Sequence, residues 1–216
     1  MDSSLLETIA LAALPVVLAI TLHEAAHGYV ARLFGDSTAW MLGRVTLNPL
    51  KHIDPIGTVL VPLGLLLASS WAGGGGFLFG WAKPVPVSFG NLRNPKRDML
   101  WVAAAGPGAN LLMALGWALA FKLGDVVASE GLLKMAQGGI MINVVLMVLN
   151  LMPILPLDGG RIVVSLLPHR LAMSYARLEP YGFMAIILLL ATGMLNNLMA
   201  PFIYMALSLL KIVVGI

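Results

Sequence analysis

Long blocks of apolar residues dominate this chain, with polar residues gathered between them. A membrane-crossing helix needs roughly 20 mostly apolar residues. Residues 5–34 meet that length and predict a long helix, with Pro15 as a candidate kink. Residues 99–121 predict a second span, bounded by "NPKRD" before it and by Lys122 and Asp125 after it. Residues 135–152 predict a third, cut by Pro153 and Pro156. The tail predicts two more, at 181–195 and 198–214, separated by "NN" and Pro201.

Two stretches break the pattern. "IGTVLVPLGLLLASSW", residues 56–71, is short for a span, contains Pro62 and runs on to Gly73–Gly76. It predicts either a full crossing or a re-entrant hairpin bent at those glycines. Irregular backbone at membrane depth survives only where protein covers it or it lines a cavity. Between Trp40 and Leu50, "WMLGRVTLNPL" alternates apolar and polar residues, which predicts a short strand or hairpin beside the first span. The expected architecture is an all-α polytopic membrane protein of about five transmembrane helices. A re-entrant or β-hairpin region is expected after the first of them.

Composition sharpens this picture. Of 216 residues, 59% are hydrophobic and only 11% charged, with a mean hydropathy of +0.92. Soluble domains carry about 25% charged residues, so lipid must be the solvent for most of this surface. Met1 is followed by Asp2 and Glu7 and not by a basic segment, so the first apolar block is expected to stay as a span and not to be cleaved as a signal. The lack of cysteine excludes disulfides, thiolate zinc sites and cysteine nucleophiles. A net charge of +3 reads as the orientation charge of a membrane protein, and no nucleic-acid partner is expected. No internal repeat or heptad pattern divides the chain. Residues 1–216 are expected to form one membrane-embedded domain, with a core over 5–170 and further helices over 175–216.

The candidate chemistry begins inside the first span, at "HEAAH". His23 and His27 are four apart, so on a helix they project from one face. That spacing lets two imidazole nitrogens reach one zinc ion at about 2.0–2.1 Å. Glu24 sits beside the first of them, where a carboxylate can take a proton from a metal-bound water. The alternative is a polar patch or an interhelical hydrogen bond, but ionisable groups within a span are costly and usually functional. Ala25 and Ala26 also leave room for other helices to approach.

Two histidines do not complete a catalytic zinc site, which takes three protein ligands and leaves one position open. The remaining candidates are His52, His169, Asp36, Asp54, Asp158 and Glu179. Asp158 stands out at the end of "NLMPILPLDGGR". Pro153 and Pro156 interrupt the helix before it, and Gly159 and Gly160 follow. Asp158 is either a metal ligand on a broken helix or the cap of a helix starting near residue 160.

Together, "HEAAH" and "NLMPILPLDGG" resemble the site-2 protease family of intramembrane zinc metalloproteases. "GRVTLNPLKHIDPIGT", "FGWAKPVPV" and "AAAGPGANLL" resemble its compact bacterial and archaeal branch. The resemblance spans most of residues 19–162. It implies a Zn2+ cofactor held by His23, His27 and Asp158, with Glu24 as the catalytic base. It implies that Asn150 helps hold substrate or steady the oxyanion, and more weakly that Asn110 does so. His52 and Asp54 match the branch pattern and are expected to fix a loop near the site. Gly43 and Val45, on the alternating stretch, are expected to offer an edge to which an unwound substrate adds as a strand. The implied partners are a membrane-anchored protein substrate with a single-span helix, the lipid bilayer and a regulatory membrane protein. Many relatives carry a peptide-binding or nucleotide-sensing module, and no such module is visible here.

Topology tests this reading. If Asp158 meets His23 and His27, the first and third spans run in the same direction and residues 99–121 alone reverse the chain. Residues 56–81 then make no net crossing, which favours the re-entrant form. With the N-terminus outside, ten basic residues between Arg32 and Arg177 share one face, against Lys122 and Lys134 on the other. That asymmetry places the larger set, and the site with it, toward the cytoplasmic side of the cell membrane. Two other classes compete. A transporter or channel with an ion site in broken helices would show flux, and an inactive relative would act as a membrane scaffold without cleaving anything.

Overall fold

The computed structural model describes residues 3–61, 64 and 82–215, and among them every regular element is helical. The first long helix, α1 (Ser3–Leu33), contains the buried Pro15 and ends at Gly35, which turns the chain with φ +109°. A short α2 (Thr38–Met41) follows. The next long helix, α3 (Pro95–Val126), starts with a proline, where a missing N–H costs no intrahelical bond. Its entry is closed by Asp98, whose Oδ2 accepts the Asn94 N–H at 2.7 Å. Helix α4 (Glu130–Asn150) is capped by the Ser129 hydroxyl. Beyond the proline-rich turn come α5 (Asp158–Leu166), α6 (His169–Ala176), α7 (Glu179–Ala191) and α8 (Met194–Val214).

Helix α3 is the centre of the bundle and packs against α1, α4, α5 and α8. One apolar cluster joins Ala114, Val144 and Val148 of α3 and α4 to Leu195, Met199 and Leu210 of α8. A second joins Ala31, Leu92, Met99 and Val102 at the C-terminal end of α1. Close approach rests on missing side chains: a Cβ on Gly139 of α4 would overlap the Trp117 indole of α3.

Four described helices are long and apolar enough to cross a membrane: α1, α3, α4 and α8. The fifth expected span, 181–195, falls on α7, which has only 13 residues. At about 1.5 Å per residue it is some 20 Å long, short of the roughly 30 Å hydrocarbon core. It stops at Thr192 because Gly193 takes a left-handed conformation, φ +70°.

The strand expected between Trp40 and Leu50 is not there. That stretch is the end of α2, a turn with Gly43 at φ +62°, and a 3-10 turn at Pro49–Lys51. Its alternating polar residues serve their own backbone. Thr46 Oγ1 accepts the Asn48 N–H and Asn48 Oδ1 accepts the Leu50 N–H, bonds that compete with any ladder. Asp54 likewise caps a short π-helical turn, Pro55–Leu60, by accepting from Ile56 and Gly57. The remainder of the expected re-entrant hairpin, including Gly73–Gly76, lies outside the described residues.

Residues 82–88, without regular secondary structure, lie beside the C-terminal half of α1 and form a strap. Its described bonds reach neighbouring segments: among them Lys83 N–H to the His52 carbonyl at 2.9 Å, Ser88 N–H to Asp36 Oδ2 at 2.6 Å, and, just beyond it, Arg93 N–H to the Phe34 carbonyl at 3.0 Å. Arg44 donates to the Lys83 and Pro84 carbonyls.

Candidate metal centre

His23 and His27 lie one turn apart on α1, buried, and face the first residue of α5, Asp158. Their Nε2 atoms are 3.1 Å apart, and each is 3.3 Å from Asp158 Oδ2. In the neutral rings the hydrogens point away from these contacts. His27 Nδ1 lies 2.7 Å from the Val102 carbonyl, which only accepts, so Nδ1 carries the hydrogen and Nε2 the lone pair. His23 Nδ1 donates in the same way to Asn110 Oδ1 at 2.6 Å. Two nitrogen lone pairs and one carboxylate oxygen therefore converge on a single point.

That arrangement fits a small cation in three respects. Asp158 Oδ2 is buried without a hydrogen-bond partner, a costly state unless a positive charge meets it. The edges of the triangle match a tetrahedral donor set with bonds of about 2.0–2.1 Å, for which geometry gives edges of about 3.3–3.4 Å. The third respect is a missing side chain. A Cβ on Gly106 of α3 would lie 2.6 Å from His23 Nε2 and inside contact distance of His27 Nε2, so α3 leaves this point open. Each histidine also has the partner on its second nitrogen that metal-binding imidazoles require.

Local sequence explains the third ligand's position. After α4 the chain turns through Pro153 and Pro156, and Gly159 and Gly160 pack onto the turn where any Cβ would overlap the Leu151 carbonyl or crowd the Leu155 N–H. The first turn of α5 is thereby pressed back beneath the end of α4. Asp158 does not cap its own helix, whose preceding residue is Leu157.

Glu24 is partly buried, and its Oε2 accepts the Val85 N–H of the strap at 2.7 Å. A backbone donor thus holds the expected base. The strap is anchored in turn by Asp36, which is fully buried. Burial pushes the Asp36 pKa up, but the Thr38 hydroxyl, the Thr38 and Ser88 N–H groups and the Asn91 amide outweigh it and hold the carboxyl below its ordinary value.

The other expected residues fall in different places. Asn110 is fully buried, and its amide is committed to His23, to the Ala19 carbonyl and to Asn143. Asn150, the last residue of α4, donates to the Leu146 carbonyl of its own helix at 3.0 Å. Val45 lines a groove of about 480 Å³ with Ala25 and Tyr29 of α1 and Ala109 and Met113 of α3. Gly43 is exposed at the preceding turn. His52 is buried and bonds the Thr46 carbonyl, as a loop-fixing residue would. Glu179 pairs with Arg161 at 3.6 Å.

Sequence reasoning missed Asn143 and Val85. Asn143 is a lone polar residue in an apolar run, with only its seven-residue spacing from Asn150 as a signal. Val85 acts through its backbone, which leaves no mark in the sequence.

Comparison with known proteins bears on the same site. The profile of peptidase family M50 matches residues 118–193, a stretch that includes Asp158. A Bacillus subtilis (strain 168) protein, "Putative zinc metalloprotease YwhC", is 37% identical over 193 residues, covering 86% of this chain and 82% of its own. The similarly named Rip2 of Mycolicibacterium smegmatis is 31% identical over 192 residues, covering 87% and 69%. Rip2 of Mycobacterium tuberculosis is 30% identical over 178 residues, covering 81% and 62%. No solved structure gives a significant match.

Proposed function

The chain belongs to peptidase family M50, the site-2 protease family, and we propose that this multi-pass membrane protein is a zinc metalloprotease that hydrolyses peptide bonds within or near the membrane spans of other proteins. The observation that carries this is the convergence of His23 Nε2, His27 Nε2 and Asp158 Oδ2 on one open point beside Glu24. When bound, Zn2+ supplies Lewis acidity that brings the pKa of a coordinated water toward about 7.

The chain's own groups do the rest. His23, His27 and Asp158 hold the ion, with their rings oriented from α3 by Asn110 and Val102. Glu24 accepts a proton as water adds to the scissile carbonyl, and returns it to the leaving amine as the C–N bond breaks. The Val85 N–H keeps that carboxylate aimed while it carries charge. Asn150 lies two turns beyond Asn143 on the same face of α4, where its amide, released from Leu146, steadies the carbonyl oxygen.

The proposed substrates are membrane-anchored proteins with a single-span helix. Their unwound segment enters between α1 and α3, along the groove that Val45 lines and past the Gly43 turn. The proposed setting is the cell membrane, with the N-terminus outside, the site toward the cytoplasm, and a regulatory membrane partner selecting substrates. The cysteine-free chain makes the orientation simple to check: a Gly90→Cys variant should label from the cytoplasmic side, and external labelling would reverse it.

Purified enzyme and a purified single-span substrate in detergent test the activity. Wild type should cleave. Glu24→Gln should keep its zinc and lose about 10²–10⁴-fold in rate. Equal rates would remove Glu24 from the mechanism, and a zinc-loaded wild type that spares spans while cutting soluble peptides would overturn the intramembrane assignment.

A further inference from the structure

A chain of buried amides runs from α4 to the metal centre. Asn143 and Asn110 are both fully buried. Asn143 Nδ2 lies 2.8 Å from the Gly139 carbonyl, Asn143 Oδ1 lies 2.9 Å from Asn110 Nδ2, and Asn110 Oδ1 lies 2.6 Å from His23 Nδ1. The direction of every bond follows from one fixed end. A backbone carbonyl only accepts, so the Asn143 group facing Gly139 is its NH2, and its oxygen faces Asn110. Asn110 must then turn its own NH2 toward Asn143, an orientation also favoured by the Ala19 carbonyl at 3.3 Å. Its oxygen is left for His23, whose Nδ1 must carry the hydrogen. The lone pair is thereby placed on Nε2, toward His27 and Asp158.

We propose that Asn143 is a positioning residue for the metal: through Asn110 it selects the His23 tautomer that can bind the ion. His27 has no such dependence, because its Nδ1 donates directly to the Val102 carbonyl. Without the Asn143 oxygen, Asn110 keeps one NH2 partner, the longer bond to Ala19, and its two amide orientations come closer in stability. Flipped, the Asn110 NH2 would donate to His23 Nδ1 and drive the ring hydrogen to Nε2, into the point where the donors converge. The Gly139 end is rigid, since α3 and α4 meet there with no space for a Cβ beside Trp117. The inference rests on the metal-binding reading of this site, but the tautomer itself exists in the metal-free protein and can be measured there.

Two readouts on the full chain in detergent test it. In metal-stripped protein labelled with 15N-histidine, four histidines give few signals. Wild type should show His23 as the Nδ1–H form, whereas Asn143→Leu should populate the Nε2–H form. Zn2+ affinity, measured by chelator competition, should fall about 10–100-fold in Asn143→Leu, as expected for loss of an outer-layer partner. Asn143→Asp should restore both, because burial favours the neutral acid, whose C=O accepts from Asn110 and whose O–H donates to Gly139. A residue that only knits α3 to α4 would change thermal stability and leave the tautomer alone. The proposal is overturned if Asn143→Leu keeps the Nδ1–H form and wild-type Zn2+ affinity, or if Asn143→Asp fails to restore the Nδ1–H form. A wild type that binds no Zn2+ would sink the metal reading, and the tautomer comparison would still decide the role of Asn143.

Discussion

Helices α1 and α3 bury Thr21, His23, His27 and Asn110 in the protein, whereas α8, also long enough to cross a membrane, buries only Leu195, Met199 and Leu210 among its described residues. In their most apolar windows, 39% of α1 and of α3 is buried inside the protein, against 11% of α8. Hydropathy does not forecast this difference, since α8 is the more apolar, at 1.8 against 1.4. Small residues do. Ala19, Ala31, Ala103, Gly106, Ala114 and Ala118 let α1, α3 and α4 close on one another, and protein then replaces lipid around the polar groups. Where helices close, polar atoms find fixed partners. Where they do not, as along most of α8, a polar group would face hydrocarbon.

The sharpest way to break this comparison is to put a methyl group into the closed region. Gly106→Ala should reduce bound zinc to background, because its Cβ would occupy the space of the two Nε2 atoms. Gly108→Ala, two residues along the same helix with nothing within 4 Å of its Cβ, should bind zinc as wild type does. Metal analysis of the two purified variants would show it, and equal zinc contents would mean that α3 does not shape the site.

A smaller effect is expected at the strap. Asp36→Ala strands several buried donors and should cost about 1–3 kcal/mol in thermal unfolding, with faster proteolysis between residues 82 and 93. The pH dependence has a definite sign. The folded carboxyl has a depressed pKa, so its contribution is fully present above the ordinary value of about 3.9 and disappears as pH falls through the lower folded value. Wild type should therefore lose stability relative to Asp36→Ala only under strongly acidic conditions. A difference that vanished near neutrality would point to another group.

The smallest effect is expected in the open region. Phe202→Ala, at an exposed position of α8, should change stability by less than about 0.5 kcal/mol and leave zinc content untouched. A large loss of zinc there would show that the tail shapes the centre after all.

Legibility followed the same division. His23 and His27 could be paired from sequence because helical spacing is rigid, whereas Asp158 stood out beside two prolines and two glycines as either ligand or cap, and only the family resemblance joined it to the histidines. The long spans were visible as apolar blocks within a few residues of their ends. Asn143 was not, since a single polar residue in a span carries no sign of what it faces until the neighbouring helix is in place. The Glu24 bond to Val85 was hidden because a backbone donor has no residue type. Residues 40–50 misled because alternation is also what an irregular loop shows when Thr46 and Asn48 bond their own backbone. The fifth span misled because hydropathy ran across Gly193, while the helix stopped there.

The most direct test of the central claim is zinc per chain in detergent-purified wild type, His27→Ala and Asp158→Ala. One metal site made from α1 and α5 predicts about one zinc in the wild type and background in both variants. Zinc retained by Asp158→Ala and lost from His27→Ala would contradict it, because the ion would then belong to α1 without the carboxylate that the fold brings to it.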